Sequence, residues 1–415
     1  MVFDRRTFLT RTGLTGAAAA AAAGLGMNSP AQAQSSLSSF PGGGPSSNVS
    51  SHADGDHTAR TMPLKFNADG TFKVIQFNDT QDDHLTDRRT IEFMGKALDA
   101  EEPNFALING DVISSGPQTN EQVYQAINNV VLPMESRGIP WALTWGNHDE
   151  DSTEDGTQVF EPQLLEFIRQ YKYNLNAADD DVYGESNTHL LVSGTQNTPK
   201  FALWLLDSGR YINNDLAGQP TDELPGYDFL RPNQIRWYED NSAAMEEQFG
   251  TKVPSLMFFH IPTFEHRDMW FGGPYNNTEE QHAAAVARHG IQGVKHEGVY
   301  VGAFNSGIYS AVRERGDVLG IYCGHDHINT YHGNYFGVEL GYGPGTGFGT
   351  YGLNDGTWDQ HTLRGARVFE MNENSERVYD ATRLVFAKDL GIDMNPAKQP
   401  LEAPEAFPEY VKPIN

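Results

Sequence analysis

The sequence predicts an α/β fold from two regularities in its apolar residues. Six short apolar runs have the length of buried strands, and they lie at residues 72–77, 105–108, 141–145, 201–206, 256–259 and 318–322. Segments with helical periodicity lie between some of these runs, at 88–100 and 233–249. Strands that alternate with helices are typical of an α/β architecture, and we expect one large domain over residues 66–390 of the 415-residue chain.

The amino-terminal 33 residues have the three parts of an export signal. Arg5 and Arg6 are followed by an Ala- and Gly-rich apolar stretch at 12–27, and an Ala-Gln-Ala sequence at 31–33 suits signal cleavage. This order resembles a twin-arginine export signal, which implies the twin-arginine machinery as a partner and a periplasmic or secreted destination. Residues 34–65 are rich in Ser, Gly, Asp and His and lack apolar periodicity, so we expect a flexible linker there.

The remaining segments of the chain are assigned by periodicity and by proline. The helix predicted at 88–100 has one apolar face, formed by Ile91, Met94, Ala97 and Leu98. Two long stretches, at about 150–185 and 263–303, are expected to be irregular rim loops, because loops of that length usually serve a site. Five prolines in 391–415 exclude a regular helix, so this segment is expected to be an extended surface tail without catalytic residues.

Charge and composition limit the partners of the chain. Acidic residues outnumber basic ones by 55 to 29, and the formal net charge of -26 argues against nucleic acid or an anionic membrane surface as a partner. No run of eighteen uncharged apolar residues follows the amino terminus, so we expect no stable membrane insertion after signal cleavage. Cys323 is the one cysteine, which excludes an internal disulfide, and its apolar surroundings predict a buried structural thiol.

Polar clusters follow five of the predicted strands. They are Asn78-Asp79-Thr80-Gln81, Gly110-Asp111, Gly146-Asn147-His148-Asp149, His260 and Gly324-His325-Asp326-His327. Strands of an α/β sheet share one carboxyl edge, where ligands bind, so these clusters can converge. The spacings from Asp79 to Asp111 and from Asp111 to Asn147 each match the length of a βαβ unit. A Gly-Asp pair alone is usually a turn, but five clusters in this order predict a shared site.

The order of these clusters resembles that of the calcineurin-like metallophosphoesterase superfamily over most of residues 72–327. Shorter matches are similar to the subgroup of fungal and plant purple-acid-phosphatase-like proteins, and they lie at 259–262, 305–307, 341–352 and 364–367. The resemblance implies a β-sandwich of two sheets flanked by α-helices. It implies one metal site formed by Asp79, Gln81, Asp111 and His327. It implies a second metal site formed by Asp111, Asn147, His260 and His325, with Asp111 as the bridge.

The ligand types and the resemblance together predict the chemistry. Oxygen ligands mixed with imidazoles suit two divalent or trivalent transition-metal ions, which can be Mn, Fe, Zn or Co. Two such ions about 3.5–4 Å apart can hold a hydroxide nucleophile and clamp a phosphoryl group, and their charge attracts phosphate to an acidic protein. The resemblance gives His148 the role of general acid beside the leaving group. Asp149 is expected to orient the His148 ring, with a solvated or helix-capping carboxylate as the alternative.

Two positions depart from patterns found in the family. Gln81 stands where the superfamily commonly has His, and a neutral amide is a weaker ligand for transition metals than imidazole. We expect the Gln81 amide oxygen, or no side chain at all, to complete the first metal site, with His84 as the alternative. Ser114 stands where purple acid phosphatases have a tyrosine, so we expect no tyrosinate chromophore.

The sequence therefore predicts an exported dinuclear-metal phosphoesterase whose partner is a small phosphate-ester substrate, with phosphomonoesters slightly favoured. Phosphodiesters, including nucleotides and lipid head groups, stay open because substrate choice resides in loops. A catalytically silent phosphate-binding protein is the alternative of another class, given Gln81 and the inactive members of the similar plant group. A metal-dependent peptidase has less support, because the sequence lacks a His-Glu-x-x-His motif.

Overall fold

The computed structural model describes residues 64–177, 182–352 and 361–414. Its strands are β1 (Leu64–Lys65), β2 (Thr71–Phe77), β3 (Phe105–Asn109), β4 (Trp141–Thr144), β5 (Thr188–Ser193), β6 (Pro199–Leu205), β7 (Asp215–Leu216), β8 (Gln219–Pro220), β9 (Ser255–Phe258), β10 (Val318–Cys323), β11 (His332–Tyr335), β12 (Val338–Tyr342), β13 (Gly365–Asn372) and β14 (Tyr379–Phe386). Its helices are α1 (Arg88–Glu101), α2 (Asn120–Glu135), α3 (Glu161–Ile168), α4 (Pro232–Phe249), α5 (Phe264–Phe271), α6 (Glu279–His289) and α7 (Ile308–Arg315). The predicted signal at 1–33 lies outside the described residues, as does the predicted linker up to residue 63.

Two mixed sheets contain most of the described strands. The larger has the order β1-β5-β6-β9-β10-β12-β11, and the smaller has the order β14-β13-β2-β3-β4. β2, β3 and β4 are parallel neighbours, as are β6, β9 and β10 in the other sheet. The carboxyl ends of these two parallel sets carry the polar clusters, so the topology brings the predicted site residues to one edge of each sheet.

Alternate residues of the strands build three apolar layers. The layer between the sheets contains Val74 and Leu107 of the smaller sheet and Leu203 and Leu256 of the larger, all fully buried. The outer face of the smaller sheet packs against α1, α2 and α3, and the outer face of the larger packs against α4 to α7. Burial of apolar side chains on both faces of each sheet is the main force that stabilises the fold. The predicted two-sheet sandwich flanked by helices is confirmed.

The local predictions are confirmed for the strongly patterned elements. The six predicted strands are β2, β3, β4, β6, β9 and β10, and the two predicted helices are α1 and α4, with ends that differ by no more than two residues. On α1 the buried face includes Phe93, whereas Ile91 is half-buried. No helix within the described residues has the length and apolar character needed to cross a bilayer.

The predicted rim loops were wrong in part, because they contain helices. The stretch 150–185 contains α3, and the stretch 263–303 contains α5 and α6. The eight-residue α3 and α5 present about two turns, which is too short for a clear helical period. In α6 only Ala285 and His289 are buried, so its sequence has almost no apolar stripe. Its amino terminus is instead defined by the cap at Thr278, whose side chain accepts from the Gln281 N–H.

The carboxyl-terminal tail has no helix or strand over 391–414, as the prolines predicted. It packs against the helices of the smaller sheet. The buried Arg89 of α1 donates to three of its carbonyls, those of Asp393, Asn395 and Ala397. Val411 is fully buried in the apolar layer beside α2. The tail is therefore part of the folded domain.

Candidate metal centre

Loops that follow five strands bring the predicted ligands to one place. The predicted ligands in these loops are Asp79 and Gln81 after β2, Asp111 after β3, Asn147 after β4, His260 after β9, and His325 and His327 after β10. Each of these residues is at most 8% exposed. Charged and polar groups are rarely buried so completely unless they are paired or bind an ion.

The structure groups five of these residues into two clusters that share one carboxylate. Asp79, Asp111 and His327 form one, and Asp111, His260 and His325 form the other, with the ligand atoms of each within 4.8 Å of one another. His327 Nε2 lies 3.3 Å from Asp79 Oδ1, and His260 Nε2 lies 3.1 Å from Asp111 Oδ2. The shared Asp111 matches the predicted bridge between two metal ions.

Unpartnered polar atoms indicate that the residues fit a metal pair. Gln81 Oε1, Asn147 Oδ1 and His325 Nε2 are buried and have no hydrogen-bond partner among the described residues. Buried acceptors of this kind are costly unless another group satisfies them. The Nδ1–H of His260 donates to the Asn109 carbonyl at 2.9 Å, which leaves the Nε2 lone pair for the cluster. Carboxylate, amide and imidazole donors together suit transition-metal ions.

The carboxylates and imidazoles of the site shift one another's pKa values. Burial opposes ionisation of Asp111, but the neighbouring His260 holds the pKa of Asp111 below its ordinary value. Burial also opposes protonation of His260, yet Asp111 and Asp79 raise the pKa of His260 to about 10. Burial and the nearby His260 lower the pKa of His325 to about 3. A metal ion must displace the proton of any imidazole that it binds, so acid weakens binding to such a ligand set.

The ligand loops adopt backbone conformations that most residues avoid. Positive φ angles occur at four ligands, which are Asp79, Gln81, Asp111 and His325. Such strain persists where the surrounding structure holds it, and it is common at functional sites. Glycine permits the close approach of the loops: a Cβ at Gly146 would lie 2.3 Å from Asp111 Oδ1, and one at Gly110 would lie 2.3 Å from His260 Nδ1.

The glycine-rich stretch at 341–349 packs against the loop that carries Asp79. The Gly347 N–H donates to the Asp79 carbonyl at 3.0 Å, and the Thr346 N–H donates to the Asn78 carbonyl at 2.8 Å. A Cβ at Gly347 would lie 2.2 Å from the Thr80 carbonyl oxygen. These glycines therefore allow two backbones to come into contact at the metal-binding loop.

His148 lies at the edge of the site, with a partly exposed ring. Its backbone N–H donates to Asp111 Oδ1 at 2.9 Å, and its Nδ1 contacts Asp151 Oδ2. Burial opposes protonation of the ring, but Asp111 and Asp151 raise the pKa of His148 to about 9. The two carboxylates therefore favour the protonated form of this ring.

The expectation that Asp149 orients the His148 ring is wrong. Asp149 Oδ1 accepts from the N–H groups of Val112 and Ile113 at 2.7 and 3.0 Å, and Oδ2 accepts from the Gly146 N–H at 2.7 Å. Three backbone donors bind both of its oxygens, and the His148 ring contacts Asp151 instead. Asp149, which is 1% exposed, therefore joins the loop that carries Asp111 to the loop that carries Asn147.

Three residues of the site were missed by sequence reasoning. Asp151 begins a short 3-10 turn and holds the His148 ring, while Arg210 and Tyr211 follow β6 and contact the Asn147–His148 loop. A signal was present, because the predicted strand at 201–206 is also followed by a polar run. The two missed residues of that run are Arg and Tyr, which are not among the ligand types by which the other clusters were recognised.

Aromatic rings cover the two histidine ligands that follow β10. Tyr351 stacks on His327 with ring centroids 4.0 Å apart, and its hydroxyl donates to Glu297 Oε2 at 2.9 Å. Tyr227 packs edge-on against His325 with centroids 4.3 Å apart. His84, the alternative to Gln81, belongs to neither metal-ligand cluster found among the described residues.

The sequence is similar to those of known proteins. A sequence profile of the calcineurin-like phosphoesterases matches residues 72–329, which is more than half of the chain. The chain is 27% identical over 348 residues to "Probable inactive purple acid phosphatase 29" of Arabidopsis thaliana, which covers 77% of this chain and 82% of that protein. It is 28% identical over 341 residues to phosphatase DCR2 of Saccharomyces cerevisiae, which covers 76% of this chain and 54% of that protein.

A similar solved structure is that of a dimetal phosphatase from Danio rerio. It is 15% identical, has a TM-score of 0.44, and covers 76% of this chain and 99% of its own. The matched segment at 72–329 includes each predicted ligand, from Asp79 to His327. The chain belongs to the calcineurin-like phosphoesterase family.

Proposed function

We propose that the protein is a metal-dependent hydrolase of small phosphate esters with a dinuclear centre. The observation that carries this proposal is the pair of buried ligand clusters that share Asp111. One ion would be held by Asp79, Gln81, Asp111 and His327. The other would be held by Asp111, Asn147, His260 and His325. Mn, Fe, Zn and Co all suit these donors.

The proposed reaction divides the work between the ions and His148. When bound, two ions supply an activated water molecule and neutralise charge on the phosphoryl oxygens. His148 donates a proton to the leaving-group oxygen, with Asp151 holding its Nδ1 so that Nε2 is the atom left for the substrate. The backbone bond from His148 to Asp111 keeps the acid next to the bridging ligand.

Phosphomonoesters are proposed as the favoured substrates, with nucleotide and lipid-head-group diesters as the alternative. The support is the sequence similarity to proteins named as purple acid phosphatases and to a yeast phosphatase. The exposed faces of Tyr211 and Tyr351 beside the ligands offer contacts to the alcohol part of an ester.

A catalytically silent phosphate-binding protein is the second candidate. It is motivated by Gln81 and by the word "inactive" in the names of the plant relatives. The buried imidazoles of His260, His325 and His327 favour the enzyme, because a protein that only binds phosphate has no need for a ligand set that fits two ions.

Export is also part of the proposal. The sequence order of Arg5-Arg6, an apolar stretch and Ala31-Gln32-Ala33 supports twin-arginine transport to the periplasm or beyond. Replacing both arginines by lysine should retain the precursor in the cytoplasm, as measured by fractionation and by precursor mass. Unchanged export of this double variant would contradict the twin-arginine route.

Metal content and turnover test the hydrolase directly. The mature protein, loaded with Mn, Fe or Zn, is assayed on mono- and diesters and its metal content is measured. We expect two ions per chain and a loss of both metal and turnover in Asp111→Asn. The matched control is Asp99→Asn, which alters an exposed carboxylate paired with Arg137. One ion or none, without turnover under any loading, would support the silent binding protein.

A further inference from the structure

We propose that Arg210 and Tyr211 are positioning residues, which set the His148 acid and the Asn147 ligand in their working orientations. This inference rests on the proposed hydrolase function and assigns two residues that lie outside the family's strand-end clusters. Both follow β6 of the larger sheet, whereas Asn147 and His148 follow β4 of the smaller sheet. The Arg210–Tyr211 pair therefore joins the catalytic loop, residues 147–151 after β4 of the smaller sheet, to the edge of the larger sheet.

Arg210 contacts the catalytic loop through three different nitrogens. Nε donates to the Asn147 carbonyl at 3.0 Å, Nη1 to Glu150 Oε2 at 3.0 Å, and Nη2 to Asp151 Oδ1 at 2.6 Å. A planar guanidinium fixes the relative directions of its N–H groups, so these three acceptors are held in one plane. A lysine has a single point charge and could satisfy fewer of them at once.

Asp151 transmits this arrangement to the acid. Its Oδ1 accepts from Arg210 while its Oδ2 contacts Nδ1 of His148. With both oxygens bound, the carboxylate cannot rotate freely, and the direction of the His148 ring follows from it. The side chains of Arg210 and Asp151 are 21% and 16% exposed, which limits competition from water for these bonds.

Tyr211 sets the amide orientation of Asn147. Its hydroxyl oxygen accepts from Asn147 Nδ2 at 2.9 Å. The opposite amide atom, Oδ1, is buried and has no hydrogen-bond partner among the described residues, as expected for an atom reserved for a metal ion. Without the Tyr211 hydroxyl, the amide could rotate and present its NH₂ group, which cannot bind a cation.

The two residues should give different kinetic signatures. Proton donation matters for an alkyl phosphate, whose alkoxide is a poor leaving group, and matters little for p-nitrophenyl phosphate, whose phenolate leaves without a proton. Arg210→Met should lower kcat by about 30-fold on an alkyl phosphate and by less than about 3-fold on p-nitrophenyl phosphate. Asp151→Asn should show the same contrast, and Arg210→Lys should lie between.

Tyr211→Phe should act on the metal. We expect metal affinity, measured by competition with a chelating dye, to fall by about 10-fold. The Tyr211 hydroxyl also lies 3.4 Å from His148 Nδ1, but Asp151 still holds the ring in this variant. The ratio of alkyl to p-nitrophenyl turnover should therefore stay close to that of the parent when the metal is saturating. The metal affinity measured with the dye does not depend on turnover, so it remains informative if the proposed hydrolase function fails.

Arg137→Met is the matched control, because Arg137 also makes a two-pronged ion pair, with the exposed Asp99, and lies outside the site. It should leave kcat on both esters and metal affinity unchanged. The inference is overturned if Arg210→Met and Asp151→Asn lower kcat equally on both esters, or if they raise only KM. Arg210 would then support the fold or bind substrate. If Arg210→Met does not fold, Asp151→Asn and Arg210→Lys test the inference by the ratio of kcat on the alkyl phosphate to kcat on p-nitrophenyl phosphate.

Discussion

The role of Asp149 can be tested by removing its carboxylate. In the structure this group accepts three backbone N–H bonds, at 2.7, 3.0 and 2.7 Å, from Val112, Ile113 and Gly146. In Asp149→Ala these three buried donors lose their acceptor. Hydrogen bonds to charged groups contribute about 1.5–3 kcal/mol each, and leaving buried donors unpaired adds a penalty.

The expected loss is smaller than the sum of three such bonds. Burial and the nearby Asp111 raise the pKa of Asp149 to about 7, because both disfavour the charged form of the carboxyl group. Water can also enter the space vacated by the carboxylate and partly satisfy the donors. We therefore expect Asp149→Ala to lower the free energy of unfolding by about 3–4 kcal/mol.

Urea unfolding followed by circular dichroism measures this change. Asp149→Asn keeps the shape but replaces one acceptor by a donor, and it should cost about 2 kcal/mol. Asp99→Ala is the matched control, since an exposed ion pair contributes about 0–1 kcal/mol. A loss below about 1 kcal/mol in Asp149→Ala, together with a selective loss of alkyl-phosphate turnover, would refute the structural role and return Asp149 to the role of orienting His148.

Three further expectations follow from the site and its surroundings. Chelation should lower the melting temperature and added Mn should restore it, because ions that bind only the folded state stabilise it; Asp111→Asn should show little shift in the same scan. Gly146→Ala should abolish metal binding, since its Cβ would lie 2.3 Å from the Asp111 backbone nitrogen, whereas Gly226→Ala, with no atom within 4 Å of its Cβ, should bind metal normally. The pH dependence of stability should include His266, whose pKa is lowered by burial to about 3. Between that value and its unfolded value of about 6.5 the folded state binds fewer protons, so stability falls as pH decreases below about 6.5. Between pH 6.5 and 5 this group should account for about 1–2 kcal/mol of lost stability, and His266→Gln should flatten that part of the curve measured by urea unfolding.

The convergence of the candidate metal ligands could be predicted because their positions depend on short-range patterns. Each strand was recognised from a run of apolar residues, and the ligands follow the strands within a few positions. Parallel strands deliver whatever follows them to one sheet edge, so convergence of Asp79, Asp111 and Asn147 follows from the order of elements. The same reasoning extends to His260 and His325 at the ends of β9 and β10.

Some of the elements that escaped prediction lack such local signals, whereas α2 has buried apolar residues at helical spacing and its signal was overlooked. β5 and β11 to β14 were not predicted, and α2, α3 and α5 to α7 were not recognised as helices. Strand β11, with the sequence His-Gly-Asn-Tyr, has no apolar run and is held by antiparallel pairing with β12. Such segments adopt their structure because tertiary partners supply the hydrogen bonds and the apolar contacts.

The sequence by itself determined the α/β class, the strands that lead to the site and the resemblance to phosphoesterases, and it named the candidate ligands that the structure brings together. The tertiary structure alone decided which neighbouring acidic residue serves His148: Asp149 binds backbone donors, and Asp151 holds the ring. Asp149 and Asp151 are two positions apart in a tight turn, and the partner of each carboxylate depends on donors that are distant in the chain, including Arg210 from the other sheet. Side-chain orientation at such a site is a property of the assembled contacts, which no local pattern contains.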